Sequence, residues 1–402
     1  MKLWLIKLGK VLAAVKRDGL RGGSRKAFEG LRATAGMLFV PAGDVLIVTS
    51  GVGDSARYRA HHVAEELRLN GLRVSVTVQD NPFLPFFVRR FGVFVFHRAL
   101  YLGATKRLFD RAKKSGKTIV FETDDLVYDP KYLADMDYYN QMSPLEKLQY
   151  KNGVGGEMLA DPYVRAATVT TSYLADKLRQ KDKEVFIITN KLSREDISWT
   201  EEYYRRREKI LSERDTVRED CLSIGYFSGT LSHNKDFATI TPALSLILTK
   251  YPQVKVAIFG PLDLDENLDK FKDRFIQNPF VPRREYFGNV AGVDIAVAPL
   301  ELGNPFCEAK SELKFFEPGS MAVPTVAVAN RTFSEAIEDG RDGFLAADTE
   351  EWVEKLSLLI EDPALRRRLG ARAREKVLRR YVTTAETEET ARYLKYLRER
   401  LS

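Results

Sequence analysis

The chain is poor in the residues that announce a redox or metal protein. Its 402 residues hold two cysteines, Cys221 and Cys307, and four histidines. The cysteines are too far apart in sequence for a zinc spacing and too few for a disulfide framework, which fits a reducing compartment. No Ser-His-Asp constellation, His-Glu-x-x-His or Cys-x-x-Cys pattern occurs, nor the glycine-lysine signature of a P-loop. Hydrolytic triads, zinc chemistry and P-loop phosphotransfer therefore find no support. No apolar run approaches the roughly 20 residues that cross a bilayer. Lys7 and Lys10 interrupt the first apolar segment, so a cleavable signal peptide is not expected either.

The charge is present but unevenly placed. Residues 1–43 carry nine Lys or Arg against Asp18 and Glu29, which equals the whole net charge of +7. The remaining chain is balanced, with 54 bases and 54 acids. Within that arm, Trp4, Leu5, Leu8, Leu12 and Val15 share one helical face, with Lys7, Lys10 and Arg17 opposite. Gly22-Gly23-Ser24 breaks the pattern before a second basic helix over 25–32. Such an arm suits the interface of an anionic membrane, and equally a helix docked on its own domain or on a subunit. Nucleic acid is not expected as a partner, because aromatic interleaving is slight and the body lacks a basic face readable from sequence.

From residue 44 onward, strand and helix patterns alternate. Apolar strands are expected near 45–49, 73–78, 92–96, 118–122, 168–171 and 185–189. A densely charged stretch, 192–219, reads as a solvated helical linker. Alternation restarts with strands near 222–227, 254–259, 293–298 and 324–329, and the tail 363–401 is helical. A chain of this length and pattern implies two α/β domains, each a doubly wound parallel sheet, facing a cleft. The boundaries read as an arm 1–43, a first domain 44–190, a linker 191–220, a second domain 221–381 and a C-terminal helix 382–402.

The run Lys310-Ser-Glu-Leu-Lys-Phe-Phe-Glu-Pro-Gly319 is the most informative stretch. It reads as a short helix opening on Ser311, ending at Pro318-Gly319 and feeding a buried strand. Lys310, Ser311, Lys314 and Glu317 gather along one side, with Glu312 in the first turn. Backbone N–H groups with two lysines attract phosphate oxygens, and a carboxylate one turn on accepts a ribose diol. That combination points to a nucleotide diphosphate sugar; an exposed helix face with ordinary i,i+3 and i,i+4 contacts is the alternative. Upstream, the loop 226–236 contributes Gly229, which permits close backbone approach, Thr230, and Lys235 near a helix start.

In the first half, Gly51-x-Gly53-Asp54 joins a strand to a helix but lacks the third glycine of a dinucleotide fingerprint. Arg57 and Arg59 follow, suited to an anionic acceptor or to surface pairing with Glu65 and Glu66. The strand 118–122 ends in Thr123-Asp124-Asp125, where carboxylates meet sugar hydroxyls or cap the next element. His97 ends a neighbouring strand, as a rim residue or a satisfied core-edge histidine.

These phrases resemble the GT-B glycosyltransferases, specifically the retaining family 4, or group 1, type. The resemblance is best over 224–381 and weaker over 44–190. Tyr226–Lys235 is similar to the strand–glycine–lysine element that begins the family's C-terminal domain. Glu317-Pro-Gly-Ser-Met-Ala-Val-Pro-Thr-Val326 is similar to the second half of its paired-glutamate element. Residues 304–314, Thr123-Asp-Asp-Leu126 and Thr171-Ser-Tyr-Leu174 resemble transferases for bacterial surface polysaccharides. The family's first glutamate falls at Ala309, with Glu308 one residue off register, and its loop arginine at Thr230.

The resemblance implies GT-B architecture and transfer, with retention and without a metal or other cofactor, from a nucleotide diphosphate sugar to a glycan or lipid-linked acceptor. It assigns Glu317 to the ribose, Glu308 to sugar hydroxyls, and Lys235 and Lys310 to the departing diphosphate. Acceptor contacts fall to Gly51, Gly53, Asp54, Arg57, Arg59, His97, Asp124 and Asp125. The expected setting is cytoplasmic, peripheral on the inner face of the cell membrane, in cell-envelope polysaccharide synthesis. A nucleotide-sugar epimerase of similar fold, or a catalytically silent binding subunit, is the alternative.

Overall fold

The structure is a computed structural model that describes residues 38–402 apart from 52, 137, 138, 140, 141, 143, 214–220 and 229–233. The basic helices expected in the N-terminal arm lie outside the described residues, as do Gly229 and Thr230. The chain divides into two compact units. The first takes residues up to 134, with 139–190 and 386–402; the second takes 135–138 and 191–385.

The first unit is built on six strands, β1 (Val45–Thr49), β2 (Val74–Val78), β3 (Val93–His97), β4 (Thr118–Thr123), β5 (Ala166–Val169) and β6 (Glu184–Ile187). They pair in the order β2-β1-β3-β4-β5-β6, all parallel. β1 and β3 are buried along their whole length, as strands covered on both faces must be. The order reverses between β1 and β3, so the carboxyl ends of those strands mark the crevice where such sheets take ligands. Thr49, His97, Glu122 and Thr168 lie in register across four strands and form a polar row near that edge.

The last helix, Glu388–Leu401, packs on this first unit rather than forming an element of its own. Its Tyr393 and Tyr396 rings meet Phe186, at 5.4 and 4.9 Å between centroids. Thr390 donates to the buried Glu66 carboxylate at 2.8 Å.

The second unit has strands β7 (Leu222–Phe227), β8 (Val254–Phe259), β9 (Phe275–Asn278), β10 (Ile295–Ala298), β11 (Thr325–Val328) and β12 (Phe344–Ala346), again all parallel, in the order β12-β11-β10-β7-β8-β9. The charged stretch after residue 191 is not a solvated linker. Arg194–Glu213 is one helix, and it docks on the second unit through two of its polar residues. Arg207 is buried and donates to the Ala291 and Val293 carbonyls at 2.8 and 2.6 Å. Asp196, also buried, takes two bonds from Arg283. Charge density alone misleads here because the apolar stems and buried ion pairs of these side chains supply the docking face.

Candidate active site

The informative run of the second unit folds differently from its sequence pattern in one respect. One helix, Pro305–Ala309, ends before Lys310, whose backbone is extended; a second, Leu313–Gly319, begins after Glu312. Ser311 is therefore in the turn between two helices rather than at a helix start. Pro318 does not stop the second helix. The proline removes one N–H, and the Lys314 carbonyl it would have met accepts from Thr325 Oγ1 at 3.5 Å instead. The turn that follows contains Ala322 at φ +56°, against which the backbone of Gly370 packs so closely that a Cβ would sit 2.0 Å from the Ala322 oxygen.

This arrangement brings Lys310, Lys314 and Glu317 into one neighbourhood with residues from distant parts of the chain. Lys310 Nζ lies 2.6 Å from the buried Asp236 carboxylate. Cys307 Sγ donates to the other Asp236 oxygen at 3.2 Å, and burial pushes its thiol up to about 12. Lys314 is half-buried, with Nζ 5.8 Å from the centre of the buried Tyr226 ring. Among the described residues its ammonium has no hydrogen-bonding or ion-pair partner. Burial, and then the charge of Lys310, lower its pKa from 10.5 to about 8.

Glu317 is buried, and its oxygens are already engaged by Arg283 Nη1 at 3.2 Å and the Tyr286 hydroxyl at 2.6 Å. A carboxylate oxygen can accept more than one donor.

Not every residue grouped by sequence joins this cluster. Glu312 turns to the other side of the helix, toward Tyr381 and Arg380, and is buried with Oε2 unsatisfied. Burial raises its carboxyl to about 6, with Tyr381 opposing. Glu308 is half-buried on the short helix before Lys310, where it accepts from the Gly303 amide at 3.4 Å. Lys235 is exposed on the five-residue helix Asn234–Ala238 that also carries Asp236.

Asp236, Glu301 and Cys307 place three donor atoms within 4.8 Å of one another, the spacing of a metal set. One of the three, Asp236, is already engaged by a cation, the Lys310 ammonium at 2.6 Å.

In the first unit, the carboxyl ends of β1, β3 and β4 assemble a second cluster. His97 is fully buried, with Nδ1 2.9 Å from Thr49 Oγ1 and Nε2 3.2 Å from Ser55 Oγ. Ser55 donates to Asp124 Oδ2 at 2.7 Å, and His97 Nε2 is 3.6 Å from Asp124 Oδ1. The serine proton points at a carboxylate, so the trio is not a nucleophilic triad. Arg98, at φ +46°, reaches Asp124 at 3.4 Å and pairs closely with Asp125. Burial opposes ionisation of Asp124, but Arg98, His97 and Ser55 outweigh it and hold that carboxyl well below the ordinary range. Burial and the charge of Asp124 push Asp125 upward against the pull of Arg98.

Gly51 and Gly53 precede this cluster; Gly53 adopts φ 137°, a conformation that side chains rarely take. Asp54 and Arg57 pair with each other near the surface at 2.5 Å. Arg59 is not an acceptor-facing residue. It is fully buried, bonded to Glu122 at 2.7 Å, the Ile188 carbonyl at 2.6 Å and Asn190 at 3.1 Å, so neither the anionic-acceptor reading nor pairing with Glu65 or Glu66 survives. The helix passes through a π-helical stretch, Arg57–His62, which rotates Arg59 inward over β4.

Sequence reading missed Arg98, Ser55, Asp236, Arg283 and Tyr286. Each meets its partner across 27 or more residues of chain. Only the neighbouring strand-end pattern marked the region of the first two.

Two parallel six-stranded α/β units with these orders define the GT-B class of fold. Solved structures share it: Anabaena HepE in complex with UDP and glucose, at 14% identity and TM-score 0.59 over 89% of this chain and 100% of that one. Sucrose-phosphate synthase from Thermosynechococcus elongatus matches at 14% identity and TM-score 0.59 over 89% and 98%. A glycosyltransferase from Rickettsia africae gives 12% identity and TM-score 0.59 over the same shares. Residues 242–391 match the family model described as glycosyl transferase-like. The glycosyl transferase-like match thus falls almost wholly within the second unit, in a chain whose fold is that of the GT-B structures. No curated protein sequence matches the chain.

Proposed function

We propose that the protein transfers a sugar, with retention of anomeric configuration and without a metal, from a nucleotide diphosphate sugar to a glycan or lipid-linked acceptor of the cell envelope. One observation carries the reading: a half-buried lysine without a carboxylate partner among the described residues, beside a second lysine, in the glycosyl transferase-like segment. A group whose charge is disfavoured where it stands gains most when an anion arrives. Lys310 and Lys314 take the diphosphate and stabilise it as the sugar gains oxocarbenium character. Lys235 assists from the adjoining helix, with Ser311 lining the phosphate path. Glu317, oriented by Arg283 and Tyr286, takes the ribose diol, and Glu308 binds sugar hydroxyls. The acceptor enters at His97, Asp124 and Asp125, which Arg98 and Ser55 hold in place. Attack comes on the face the diphosphate leaves, so no general base is assigned. The bound UDP and glucose of the HepE structure make a uridine donor the first to test.

The basic arm 1–43 would hold the enzyme at an anionic membrane surface beside a lipid-linked acceptor. Among the described residues no helix is long and apolar enough to cross a membrane.

Incubation with nucleotide sugars in the absence of acceptor tests the reaction. Slow release of free sugar and nucleoside diphosphate, reduced in Lys310→Ala, supports transfer. Epimerised sugar nucleotide identifies an epimerase instead. Binding by thermal shift without any turnover, with or without acceptor, identifies a silent subunit, the outcome that Ala309 in place of a family glutamate would explain.

A further inference from the structure

The folded body of the first unit carries an aromatic and basic face outside both clusters. Phe39, Phe83 and Phe86 are 88, 54 and 68% exposed, against the burial expected of phenylalanine. They belong to one patch by the hydrogen bonds beneath them. Asn81 Nδ2 donates to the Leu38 carbonyl at 3.3 Å, while Asn81 Oδ1 accepts the Phe83 amide at 2.9 Å. Phe86 N then bonds the Phe83 carbonyl at 2.9 Å. Arg90 ties the same two segments together by donating to the Val40 carbonyl at 2.6 Å.

The sequence around these rings is basic. No acid occurs from residue 81 to 109, and from 81 to 121 only Asp110 stands against nine Lys or Arg. One of the nine, Arg98, is turned inward to Asp124 and Asp125. Arg89, Arg90, Arg107, Arg111 and Lys114 are exposed, while Lys106 and Lys113, also exposed, are paired with Asp110 and Asp161. Arg111 lies 5.8 Å from the centre of the Phe86 ring while donating to the Pro85 carbonyl at 2.9 Å, which fixes the helix Gly103–Lys114 against the aromatic turn.

We propose that this face is a membrane-contact surface of the folded unit, in which Phe39, Phe83 and Phe86 enter the interfacial region of a bilayer and the surrounding arginines and lysines meet anionic headgroups. Exposed rings ringed by cations fit a surface with an apolar layer below a layer of negative charge. A protein partner would have to offer both an apolar socket and a wide acidic rim. Phe39 follows the basic residues of the N-terminal arm in sequence, so the patch and that arm carry the same sign of charge. The surface is separate from the transfer chemistry, and its test does not depend on which sugar is moved.

Full-length protein is compared with Phe83→Ser/Phe86→Ser and with Arg89→Glu/Arg107→Glu by co-sedimentation with phosphatidylcholine vesicles, with and without phosphatidylglycerol. Melting temperature verifies folding, and Leu246→Ser, an exposed apolar residue of the second unit, serves as control. Partition onto the anionic vesicles should fall roughly tenfold or more in both double variants, through loss of two buried rings in one and reversal of two charges in the other, and remain unchanged in the control. Binding equal to wild type in both, or a drop no larger than in the control, overturns the proposal. So does a wild-type dimer that the phenylalanine variant makes monomeric while vesicle binding persists, since the face would then be a self-association surface.

Discussion

Lys314 sets stability against binding, and replacing it with methionine separates the two. The fall of its pKa from 10.5 to about 8 corresponds to about 3 kcal/mol of unfavourable ionisation in the folded state. Methionine keeps the stem and removes the charge, so Lys314→Met should stabilise the empty protein at pH 7 by about 1–3 kcal/mol. For a domain of this size that is roughly 2–4 °C of Tm per kcal/mol. The pH dependence carries a sign. Below pH 8 the lysine is charged in both folded and unfolded chains, and the penalty is complete. Between pH 8 and 10.5 the folded chain has lost the proton and the unfolded chain keeps it, so wild-type stability rises with pH. The advantage of the variant should shrink over that window and vanish above it. Nucleoside diphosphate affinity should move the opposite way, falling at least tenfold in the variant. In wild type, binding at pH 8–9 should take up a proton, which titration calorimetry in buffers of different ionisation enthalpy reads directly. A less stable Lys314→Met variant that binds UDP as wild type does would refute the reasoning.

Three further outcomes follow from the same geometry. Arg59→Met strands the buried Glu122 carboxylate, and urea unfolding of the first unit should show a loss of roughly 3–5 kcal/mol. Glu312→Gln should stabilise the second unit by about 1–2 kcal/mol at neutral pH, because burial raises that carboxyl from 4.5 to about 6. The folded chain binds the extra proton between those values, so the gain should fade as pH drops from 6 to 4.5; a variant less stable than wild type at pH 7 contradicts this. Glu317→Gln keeps the bonding shape between Arg283 and Tyr286, and should weaken nucleoside diphosphate binding several-fold more than pyrophosphate binding. Equal losses for both ligands would remove Glu317 from the ribose.

The two α/β units were legible because fully buried parallel strands leave uninterrupted apolar runs, such as Val45–Thr49, and tight turns between them. What a local pattern does not hold is the destination of a charged side chain. Arg59 sits in a sequence context that reads as surface, yet a π-helical stretch turns it under the sheet to Glu122, 63 residues away. The charged helix Arg194–Glu213 reads as solvated for the same reason: its docking depends on Arg207 meeting carbonyls at Ala291 and Val293, which no window of the sequence contains. The site divides along the same line. Lys310, Lys314 and Glu317 were found because they stand within a few residues of one another in sequence, the last two on one helix. Asp236, Arg283 and Tyr286, which hold Lys310 and Glu317 in position, come from other elements and carry no spacing signal. Glu312 shows the limit of the local argument, since two residues on from Lys310 it points away from the cluster toward Tyr381. A helix run names candidates for a site, and only the packing of the sheet beneath it decides which of them are charged, paired or buried. That is why Lys314, the residue that locality ranks no higher than its neighbours, becomes the one on which the proposed anion binding most depends.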